Sequence, residues 1–390
     1  MATEHYDVVV VGGGPAGSMA GAAAASQGAK TLILERDSTV GIPVRCGEGV
    51  AVYQLERFFS VEERYVAAHI KGFMLHSPDD TAVPVFGDEL GLVLERTRFD
   101  RWLAERAVEC GAMVRTRSEV DGLTSNNGAV KGISFTRMGK RYNIDADVVI
   151  AADGVDSRVA RWAGFETHLK PVDIESAYQF LVAGIDEDPG YCHFFFSNDL
   201  APGGYLWVFP KGDRIANIGI GIAAKYCDKG TAYRRLEEFT KHRYGSFSII
   251  AEAAGGVPVA KPLKKPVKDG FIIAGDAARY TNPLTGGGIA AALITGNQAG
   301  MTAAQAIGSG DVSEKQLSDY VRNLEDIIIK PHHRAYKLKA GVFNLTDDIF
   351  NQTAHQVMSL PPEKRTIRNI FIKALATKPK LLVEVLRAFV

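Results

Sequence analysis

The sequence is poor in cysteine, in net charge and in long apolar runs, and each shortage excludes a class of protein. Its four cysteines, at positions 46, 110, 192 and 227, include no Cys-x-x-Cys pair. That pattern excludes a cysteine-ligated zinc or iron–sulfur module and favours a reducing compartment. The 45 basic and 45 acidic residues balance, so no global electrostatic field favours nucleic acid. No stretch is long and apolar enough to span a bilayer.

What is present is the composition of an ordinary globular protein, and 390 residues can hold two or more domains with large cores. The first apolar run begins within a few residues of Met1 and carries no basic leader. We therefore expect a cytoplasmic protein with no metal and no nucleic-acid partner. Peripheral contact with the inner face of the cell membrane is left open.

The chain begins with the pattern of a dinucleotide-binding unit. Four consecutive valines predict a buried parallel strand, and a run of helix formers at 16–27 follows. Between them, Gly12, Gly14 and Gly17 have the G-x-G-x-x-G spacing, which allows a tight turn, backbone approach to a pyrophosphate and close helix–strand packing. The next predicted strand ends in Glu35, close to the ~20-residue offset of a carboxylate that binds a ribose hydroxyl. A glycine-rich turn of a plain α/β domain would leave that acid unexplained.

Further polar loops follow predicted strands. Residues 45–49 read Arg-Cys-Gly-Glu-Gly, which suggests backbone pressed against a ligand, with a connecting turn as the alternative. Asp153 follows one apolar strand, and Gly275 with Asp276 follows another, at the strand ends where open α/β sheets bind ligands. Residues 282–289 read Asn-Pro-Leu-Thr-Gly-Gly-Gly-Ile before a small-residue helix, and such glycines suit amides directed at an anion or an electron-rich ring.

From Ser176 the composition shifts to aromatic and β-branched runs. Strands are predicted at Ala177–Ile185, Tyr191–Ser197, Tyr205–Phe209 and Ile215–Ile222. Consecutive strands without intervening helices indicate an antiparallel sheet, inserted within the first domain. Tyr205, Trp207 and Phe209 alternate along one strand, so their rings project to one face. They either line an apolar tunnel or pack the sheet against the first domain.

Helical patterns occur between and after these strands. We predict helices at 54–68, at 96–111 with Arg98 in the first turn, at 231–242, and in the chain from Val312 onward. Near the basic C-terminal end, Leu381, Leu382, Val385, Leu386 and Phe389 share one helical face. That stripe predicts either a membrane-surface helix or a helix that packs on its own domain.

Three separated motifs together resemble the FAD-binding framework of the para-hydroxybenzoate hydroxylase-like flavoproteins. They are Gly12–Gly17 with Glu35, Ala152-Asp153-Gly154, and Gly275-Asp276, joined by Arg98 at the opening of its helix. The resemblance covers the chain to about Ile307.

Finer details resemble the geranylgeranyl reductase family, most closely its archaeal digeranylgeranylglycerophospholipid reductases. Residues 202–210, Pro-Gly-Gly-Tyr-Leu-Trp-Val-Phe-Pro, match that family's Y-x-W-x-F-P pattern. Residues 45–48 and 282–286 are similar to its loops near the flavin. Residues 286–290 depart from the Gly-Gln-Gly-x-Asn pattern usual in aromatic hydroxylases.

The resemblance implies a mixed α/β fold: a Rossmann-type FAD-binding domain, an inserted antiparallel β-sheet substrate domain and a helical C-terminal region. The expected boundaries are 1–70, 95–170 and 262–310 for the FAD domain, 71–94 and 171–261 for the substrate domain, and 311–390 for the helical region. The expected FAD-binding residues are Gly12, Gly14, Ala16, Gly17, Glu35, Arg36, Arg45, Cys46, Gly47, Gly49, Arg98, Val120, Asp153, Gly275, Asp276, Gly286, Gly287, Gly288 and Ile289. The expected substrate-binding residues are Tyr205, Trp207, Phe209 and Pro210, and the expected catalytic residues are Cys46 and Tyr205.

The reaction implied is transfer of a hydride from reduced flavin to one carbon of an isoprenoid C=C bond, with a proton delivered to the other carbon. Cys46, Tyr205 and an ordered water are the alternatives for the proton donor. The electron donor is either ferredoxin or a reduced nicotinamide, since no second dinucleotide fingerprint is present. A flavin monooxygenase or halogenase is the runner-up, and a lipid-carrying flavoprotein without enzymatic activity stays open. The cysteine pattern argues against an iron–sulfur-linked flavoprotein dehydrogenase.

Overall fold

The computed structural model describes residues 4–376, 379, 382, 383 and 385. Within them the strands are β1 (Glu4–Val11), β2 (Thr31–Leu34), β3 (Gly49–Ala51), β4 (Val66–His76), β5 (Ala82–Leu94), β6 (Met113–Arg115), β7 (Ser118–Asn126), β8 (Ala129–Arg137), β9 (Lys140–Ala151), β10 (Glu175–Ala183), β11 (Tyr191–Phe195), β12 (Tyr205–Pro210), β13 (Ile215–Ala223), β14 (Ser248–Val257), β15 (Val267–Lys268) and β16 (Phe271–Ile273). The α-helices are α1 (Pro15–Ser26), α2 (Val52–Glu56), α3 (Arg96–Glu109), α4 (Arg158–Trp162), α5 (Thr231–Tyr244), α6 (Ile289–Ser309), α7 (Glu314–Leu317), α8 (Asp319–Leu324), α9 (Lys330–Val342), α10 (Asp347–Met358) and α11 (Ile367–Ala374).

The first sheet carries the nucleotide motif. Its strands run in the order β15-β16-β9-β1-β2-β6, and β8 and β7 extend it antiparallel beyond β9. The central strands β16, β9, β1, β2 and β6 are parallel. Val8, Val9 and Val10 are fully buried, as expected for a parallel strand covered on both faces. The predicted strand–helix–strand unit at the start of the chain is confirmed as β1, α1 and β2.

The second sheet has the order β14-β10-β13-β12-β11-β4-β5-β3. Its neighbouring strands are antiparallel except β11 and β4, which pair in parallel. One face packs Phe180, Leu206 and Ile218 against Leu236 of α5. The opposite face, which carries Tyr205, Trp207 and Phe209, is turned toward the first sheet's loops.

The structure corrects two local expectations. The helix predicted at 54–68 is wrong beyond Glu56, because β4 begins at Val66 and alternates buried and exposed residues from Ala68 to Gly72. Pairing with β5 therefore overrides the helix propensity of its two alanines. Strand β14 was not predicted, since its run of Ala and Gly has low β-propensity and it forms only through pairing with β10.

The hydrogen bonding of the two sheets differs from the domain division expected from the sequence at β3 and at the start of β4. Residues 49–51 and 66–70 were assigned to the FAD domain, whereas β3 and β4 are bonded into the second sheet. The loop at 45–49 thus crosses from one sheet to the other. We propose a division that follows the sheets and otherwise keeps the boundaries given above.

The C-terminal region is helical, as expected, and it packs on the protein. Val385 is fully buried and Leu382 is partly buried in a cluster with Leu338, Val342 and Leu375. The burial of these two residues of the apolar stripe favours a helix that packs on its own domain. Leu381, Leu386 and Phe389 lie outside the described residues. Among the helices described, none has the length and apolar character needed to cross a membrane.

Candidate active site

The glycine motif after β1 has a different physical role at each position. Gly12 has φ +105°, and a Cβ there would lie 2.4 Å from the carbonyl oxygen of Ala152. A Cβ on Gly17 would lie 1.8 Å from the carbonyl oxygen of Gly12, so only glycine allows α1 to pack this closely. A Cβ on Gly14 would have no neighbour within 4 Å, because this residue faces an open cavity. The turn thus presents bare backbone to a ligand at the N-terminus of α1.

Two carboxylates stand beside this turn. Glu35 at the end of β2 accepts hydrogen bonds from Gly13 N (2.7 Å) and Asp37 N (2.8 Å), which fixes its orientation toward the turn. Asp153, after β9, accepts a hydrogen bond from Val159 N (3.0 Å), while its buried Oδ1 atom has no hydrogen-bond partner among the residues that the structure describes. Burial raises the pKa of Asp153. A buried acceptor without a donor indicates a site for a ligand hydroxyl or amide.

Asp276 occupies the corresponding end of β16. It accepts a hydrogen bond from Thr281 Oγ1 (2.5 Å), and burial raises its pKa even though the Arg96 guanidinium opposes this. A Cβ on Gly288 would lie 3.3 Å from Asp276 Oδ1, so the glycine loop before α6 passes directly over this carboxyl. Gly275 instead packs behind the site, where its Cβ would lie 2.9 Å from Ala16 Cβ.

The structure brings Arg96, and not Arg98, to this region, which corrects the expectation from the sequence. Arg96 lines the cavity and forms a two-pronged ion pair with buried Asp100, with Nε–Oδ1 2.6 Å and Nη2–Oδ2 2.7 Å. Arg98 is exposed and donates to the carbonyl of Arg64 (3.4 Å). Two residues along a helix are separated by about 200° of rotation, so only one of the two arginines can face the cavity.

The loop at 45–49 is held by a buried polar network. Cys46 Sγ accepts a hydrogen bond from Glu48 N (3.2 Å), and burial raises the pKa of the thiol. Asn217 Nδ2 donates to the carbonyl of Cys46 (3.0 Å) and to Glu48 Oε2 (3.2 Å). Lys211 Nζ lies 2.7 Å from the same Glu48 oxygen and 3.1 Å from Glu95 Oε2. The loop is therefore fixed on the second sheet rather than being a free connection.

This network also includes the aromatic strand. Trp207 Nε1 donates to Asn217 Oδ1 (2.9 Å), so one residue joins the Y-x-W-x-F-P motif to the Cys46 loop. The indole lies over Gly219 of β13, where a Cβ would be 2.0 Å from its Cζ2 atom. Tyr205 donates its hydroxyl to the carbonyl of Thr285 in the glycine loop.

One cavity of about 1380 Å³ is lined by Gly14 of the turn, by Glu35, Asp153, Asp276 and Arg96, by the Cys46 loop and by the aromatic strand. This exceeds the roughly 300–1,000 Å³ of ordinary small-molecule pockets and leaves room for two ligands. Beyond the aromatic strand its walls are apolar and are supplied by β4, β5, β11 and the C-terminal helices. They include Ile70, Phe73, Leu75, Val83, Phe194, Val342, Phe350, Val357, Ile367 and Ile370.

Most of the expected site residues meet at this cavity. They are Gly14, Ala16, Glu35, Arg36, Arg45, Cys46, Gly47, Gly49, Asp153, Tyr205, Trp207, Phe209, Asp276, Gly286, Gly287, Gly288 and Ile289. Gly12 and Val120 line a small adjoining cavity of about 160 Å³. Gly17, Gly275, Arg98 and Pro210 do not line the main cavity, and Pro210 is buried in β12 where it pairs with Ala216.

Sequence reasoning missed the cavity-lining Glu175 and the supporting residues Lys211 and Asn217. One sequence pattern could have indicated a binding face on this sheet. The alternation Ile-Gly-Ile-Gly-Ile at 218–222 predicts a strand with one apolar face and one face free of side chains. The helical walls of the cavity carried no such signal.

The fold and the site define a class of protein. A parallel sheet with a dinucleotide turn, an unsatisfied carboxylate at a strand end and a glycine loop over a second carboxyl together form a flavin-type cradle. The cavity continues from this cradle into apolar walls. The class is therefore a flavoprotein oxidoreductase with a deep apolar substrate site.

Comparisons with known proteins identify the family. A family model described as "FAD binding domain" matches residues 5–189, and one described as "Geranylgeranyl reductase catalytic domain" matches residues 173–257. A digeranylgeranylglycerophospholipid reductase from Methanothrix thermoacetophila is 42% identical, over 97% of this chain and 98% of its own. One from Methanosarcina mazei is 40% identical, over 97% and 95%. The chain belongs to the digeranylgeranylglycerophospholipid reductase family.

Solved structures agree with this assignment. A geranylgeranyl bacteriochlorophyll reductase-like protein from Thermoplasma acidophilum matches with TM-score 0.93 at 33% identity, over 99% of this chain and all of the other. A flavin-dependent brominase matches with TM-score 0.74 at 17% identity, over 99% of each chain, and shares the fold alone. The protein is an FAD-dependent oxidoreductase, and the expected fold class and cofactor are confirmed.

Proposed function

We propose that this protein saturates the isolated C=C bonds of geranylgeranyl chains in digeranylgeranylglycerophospholipids, the precursors of archaeal membrane lipids. The observation that carries the proposal is the single cavity that runs from the flavin cradle to apolar walls built by β4, β5 and α9–α11. An isoprenoid chain offers no polar group along its length, so a long apolar channel matches it.

Loops at the ends of strands in the first sheet would hold the cofactor in this proposal, together with Arg96 of α3. The amides of Gly14 and Ala16 would bind its phosphates, Glu35 and Asp153 would accept hydrogen bonds from its hydroxyl groups, and Asp276 would contact it from the end of β16. Arg96 would provide a cationic contact to the cofactor, in place of the FAD-binding residue Arg98 expected from the sequence. Bound reduced FAD supplies a hydride to an alkene carbon.

The aromatic strand and its loops position the reacting bond. Tyr205, Trp207 and Phe209 line the cavity in a row, with ring centroids 6.2 and 6.4 Å apart, and form an apolar wall beside the glycine loop. We propose that Cys46 and Tyr205 contact the alkene there. Because an isolated alkene has no carbonyl to polarise, these residues have to orient it and exclude water.

A buried histidine pair adjoins the cavity. His76 lines the cavity and is hydrogen-bonded to His193, with Nε2–Nδ1 3.0 Å. Burial and the neighbouring His193 lower the pKa of His76 to about 4, so its ring is neutral at physiological pH. A neutral imidazole among apolar walls is compatible with a hydrocarbon chain.

We further propose that the protein works in the cytoplasm at the surface of the membrane, where its lipid resides. Helix α11 supplies Ile367 and Ile370 to the channel, and the exposed Lys364 and Arg368 beside them can meet lipid phosphates. The electron donor is either ferredoxin or a reduced nicotinamide.

An anaerobic single-turnover experiment tests the function. The flavin of the purified holoenzyme is reduced with dithionite, a digeranylgeranyl glycerophospholipid is added, and flavin reoxidation and lipid mass are followed together. Reoxidation accompanied by a gain of hydrogen in pairs is the expected result. If the flavin stays reduced until air is admitted, the proposal is wrong and an oxygen-dependent hydroxylase takes its place.

The same experiment tests Cys46. Cys46→Ala and Cys46→Ser are expected to bind FAD as before and to slow lipid-dependent reoxidation, because the alkene loses its contact. The matched control is Cys110→Ser, a partly buried cysteine outside the cavity. Full turnover in both Cys46 variants would remove this residue from the mechanism.

A further inference from the structure

We propose that Glu175 is the group that gives the proton to the alkene. The inference rests on the proposed function and names a residue that neither the motifs nor the family resemblance included. Glu175 is the first residue of β10, and it lines the cavity beside the aromatic strand.

The register of the second sheet sets the position of this carboxyl. Gly221 of β13 lies opposite Tyr205 on one side and opposite Ala177 on the other. Glu175 precedes Ala177 by two residues and therefore points to the same face of the sheet. Its side chain extends over Gly221, where a Cβ would lie 2.7 Å from Glu175 Oε2. The absence of a side chain at 221 leaves the space that the carboxyl occupies, next to Tyr205.

The carboxyl is also close to the glycine loop that the proposed function places at the cofactor. Val257 of β14 pairs with Glu175 across the sheet. A Cβ on Gly286 would lie 3.7 Å from Val257 Cγ1 and 3.7 Å from Tyr205 Oη. Val257, the neighbour of Glu175 on β14, and Tyr205, which lies two strands away on β12, thus flank this loop.

The surroundings keep Glu175 protonated near neutral pH while allowing it to ionise. Its side chain is 5% exposed, and in the part of the chain that the structure describes no donor is hydrogen-bonded to its carboxyl. Burial raises the pKa of Glu175 to about 7, and the ammonium of Lys339 on α9 opposes this rise. Ala223 and Val257, its neighbours on the adjacent strands, carry no charge. Lys339 Nζ is held by two backbone carbonyls and stabilises the carboxylate left after proton transfer.

The other two candidate acids are weaker in this setting. Burial raises the pKa of the Cys46 thiol and of the Tyr205 phenol, and the Tyr205 proton is already donated to Thr285. Loss of a proton from either would leave an anion in an apolar cavity. General acids work best when their pKa lies near the working pH, which of these groups only Glu175 satisfies.

Proton transfer from Glu175 completes the reduction of the double bond. With a hydride supplied by the reduced flavin to one carbon of the double bond, the O–H bond of Glu175 breaks and its proton forms a C–H bond at the other carbon. The alkene gains two hydrogens and two electrons, and Glu175 is left as a carboxylate. It recovers a proton from water before the next double bond is reduced.

The test compares lipid-dependent reoxidation of reduced holoenzyme in rapid mixing, below and above neutral pH, for the wild type and Glu175→Gln. We expect Glu175→Gln to bind FAD normally and to react roughly 10²–10⁴-fold more slowly, the usual contribution of a general acid. The wild-type rate should fall as pH rises through neutrality, and the variant should lose this dependence. Gly221→Ala keeps the acid but displaces it, so an intermediate loss is expected. Glu252→Gln, an exposed change on β14, is the matched control.

A second readout does not depend on turnover. The infrared carbonyl band of a protonated carboxylic acid should be present below neutral pH, disappear above it, and be missing from Glu175→Gln. An unchanged rate and pH profile in Glu175→Gln, with wild-type enzyme reducing the lipid, would overturn the role of Glu175 and leave the proposed function intact. If the wild type itself does not reduce the lipid, the proposed function fails, and the inference fails with it. Absence of the infrared band in the wild type also overturns the inference.

Discussion

Replacing Glu175 by Gln is expected to stabilise the folded protein, and the gain should grow with pH. In the folded chain burial raises the pKa of this carboxyl from 4.5 to about 7. Between these two values the folded state binds more protons than the unfolded state, so wild-type stability falls as pH rises. Glutamine has nearly the same shape and cannot ionise, so the variant escapes this loss.

The size of the effect follows from the same two values. At 1.36 kcal/mol per pKa unit, the difference between 4.5 and about 7 corresponds to about 3 kcal/mol above neutral pH. The gain should be absent below pH 4.5, where both states are protonated, and should level off once the folded carboxyl is ionised. This is a large fraction of the stability of an ordinary domain.

Urea denaturation of the FAD-saturated protein at a series of pH values measures this difference. Saturating FAD keeps the contribution of cofactor binding equal in the two proteins. Glu252→Gln serves as the control, because it makes the same chemical change at a residue that is exposed on the edge strand β14. A difference between Glu175→Gln and wild type that is constant with pH, or that shrinks as pH rises, would refute the reasoning that this carboxyl is buried and protonated.

Three further predictions concern the cradle, the aromatic wall and acid stability. Arg96→Met should weaken FAD binding about 10- to 100-fold in a flavin titration of the apoprotein, since charged hydrogen bonds contribute about 1.5–3 kcal/mol, whereas exposed Arg98→Met should not. Gly219→Ala should displace Trp207, destabilise the protein by about 1–3 kcal/mol and shift its tryptophan fluorescence, because the new Cβ would lie 2.0 Å from the indole. Burial lowers the pKa of His332 to about 4 from 6.5, so stability should fall by up to about 3 kcal/mol as pH drops through that range, and His332→Gln should reduce the fall.

Each of these three predictions would be contradicted by a specific result. Equal loss of FAD affinity in the two arginine variants would restore the assignment made from the sequence. Gly255→Ala is the control on the same sheet face, where a Cβ meets no atom closer than 3.7 Å, and an equal effect there would contradict the packing argument. An unchanged acid limb in His332→Gln would mean that other groups set the acid sensitivity.

Features that depend on neighbouring residues within one element could be predicted from the sequence. Gly12 and Gly17 meet the steric demands of the turn in which they lie, as their spacing predicts, while the approach of Gly14 to a pyrophosphate stays a prediction. Tyr205, Trp207 and Phe209 share a face because side chains alternate along any strand. In both cases the geometry depends on neighbours within one element.

Features that depend on packing between elements could not be predicted from the sequence. Arg96 and Arg98 lie in the same helical turn, and only the rotation of α3 against the Cys46 loop decides which one reaches the cavity. The helix expected at 54–68 gave way to β4 because pairing partners from elsewhere in the chain were available. The sequence did not indicate Glu175 as a site residue, because an acid at the start of a strand is usually exposed.

The sequence by itself therefore determined the nucleotide turn and the strand that carries the aromatic rings, because each depends on residues adjacent in the chain. It determined the cofactor and the family through several such short motifs taken together. Only the tertiary structure decided that the C-terminal helices wall the apolar channel, that Asn217 ties Trp207 to the Cys46 loop, and that Glu175 enters the cavity over Gly221. These contacts join segments that are far apart in sequence. Their pairing is set by the mutual burial of whole elements, and residue spacing does not encode it.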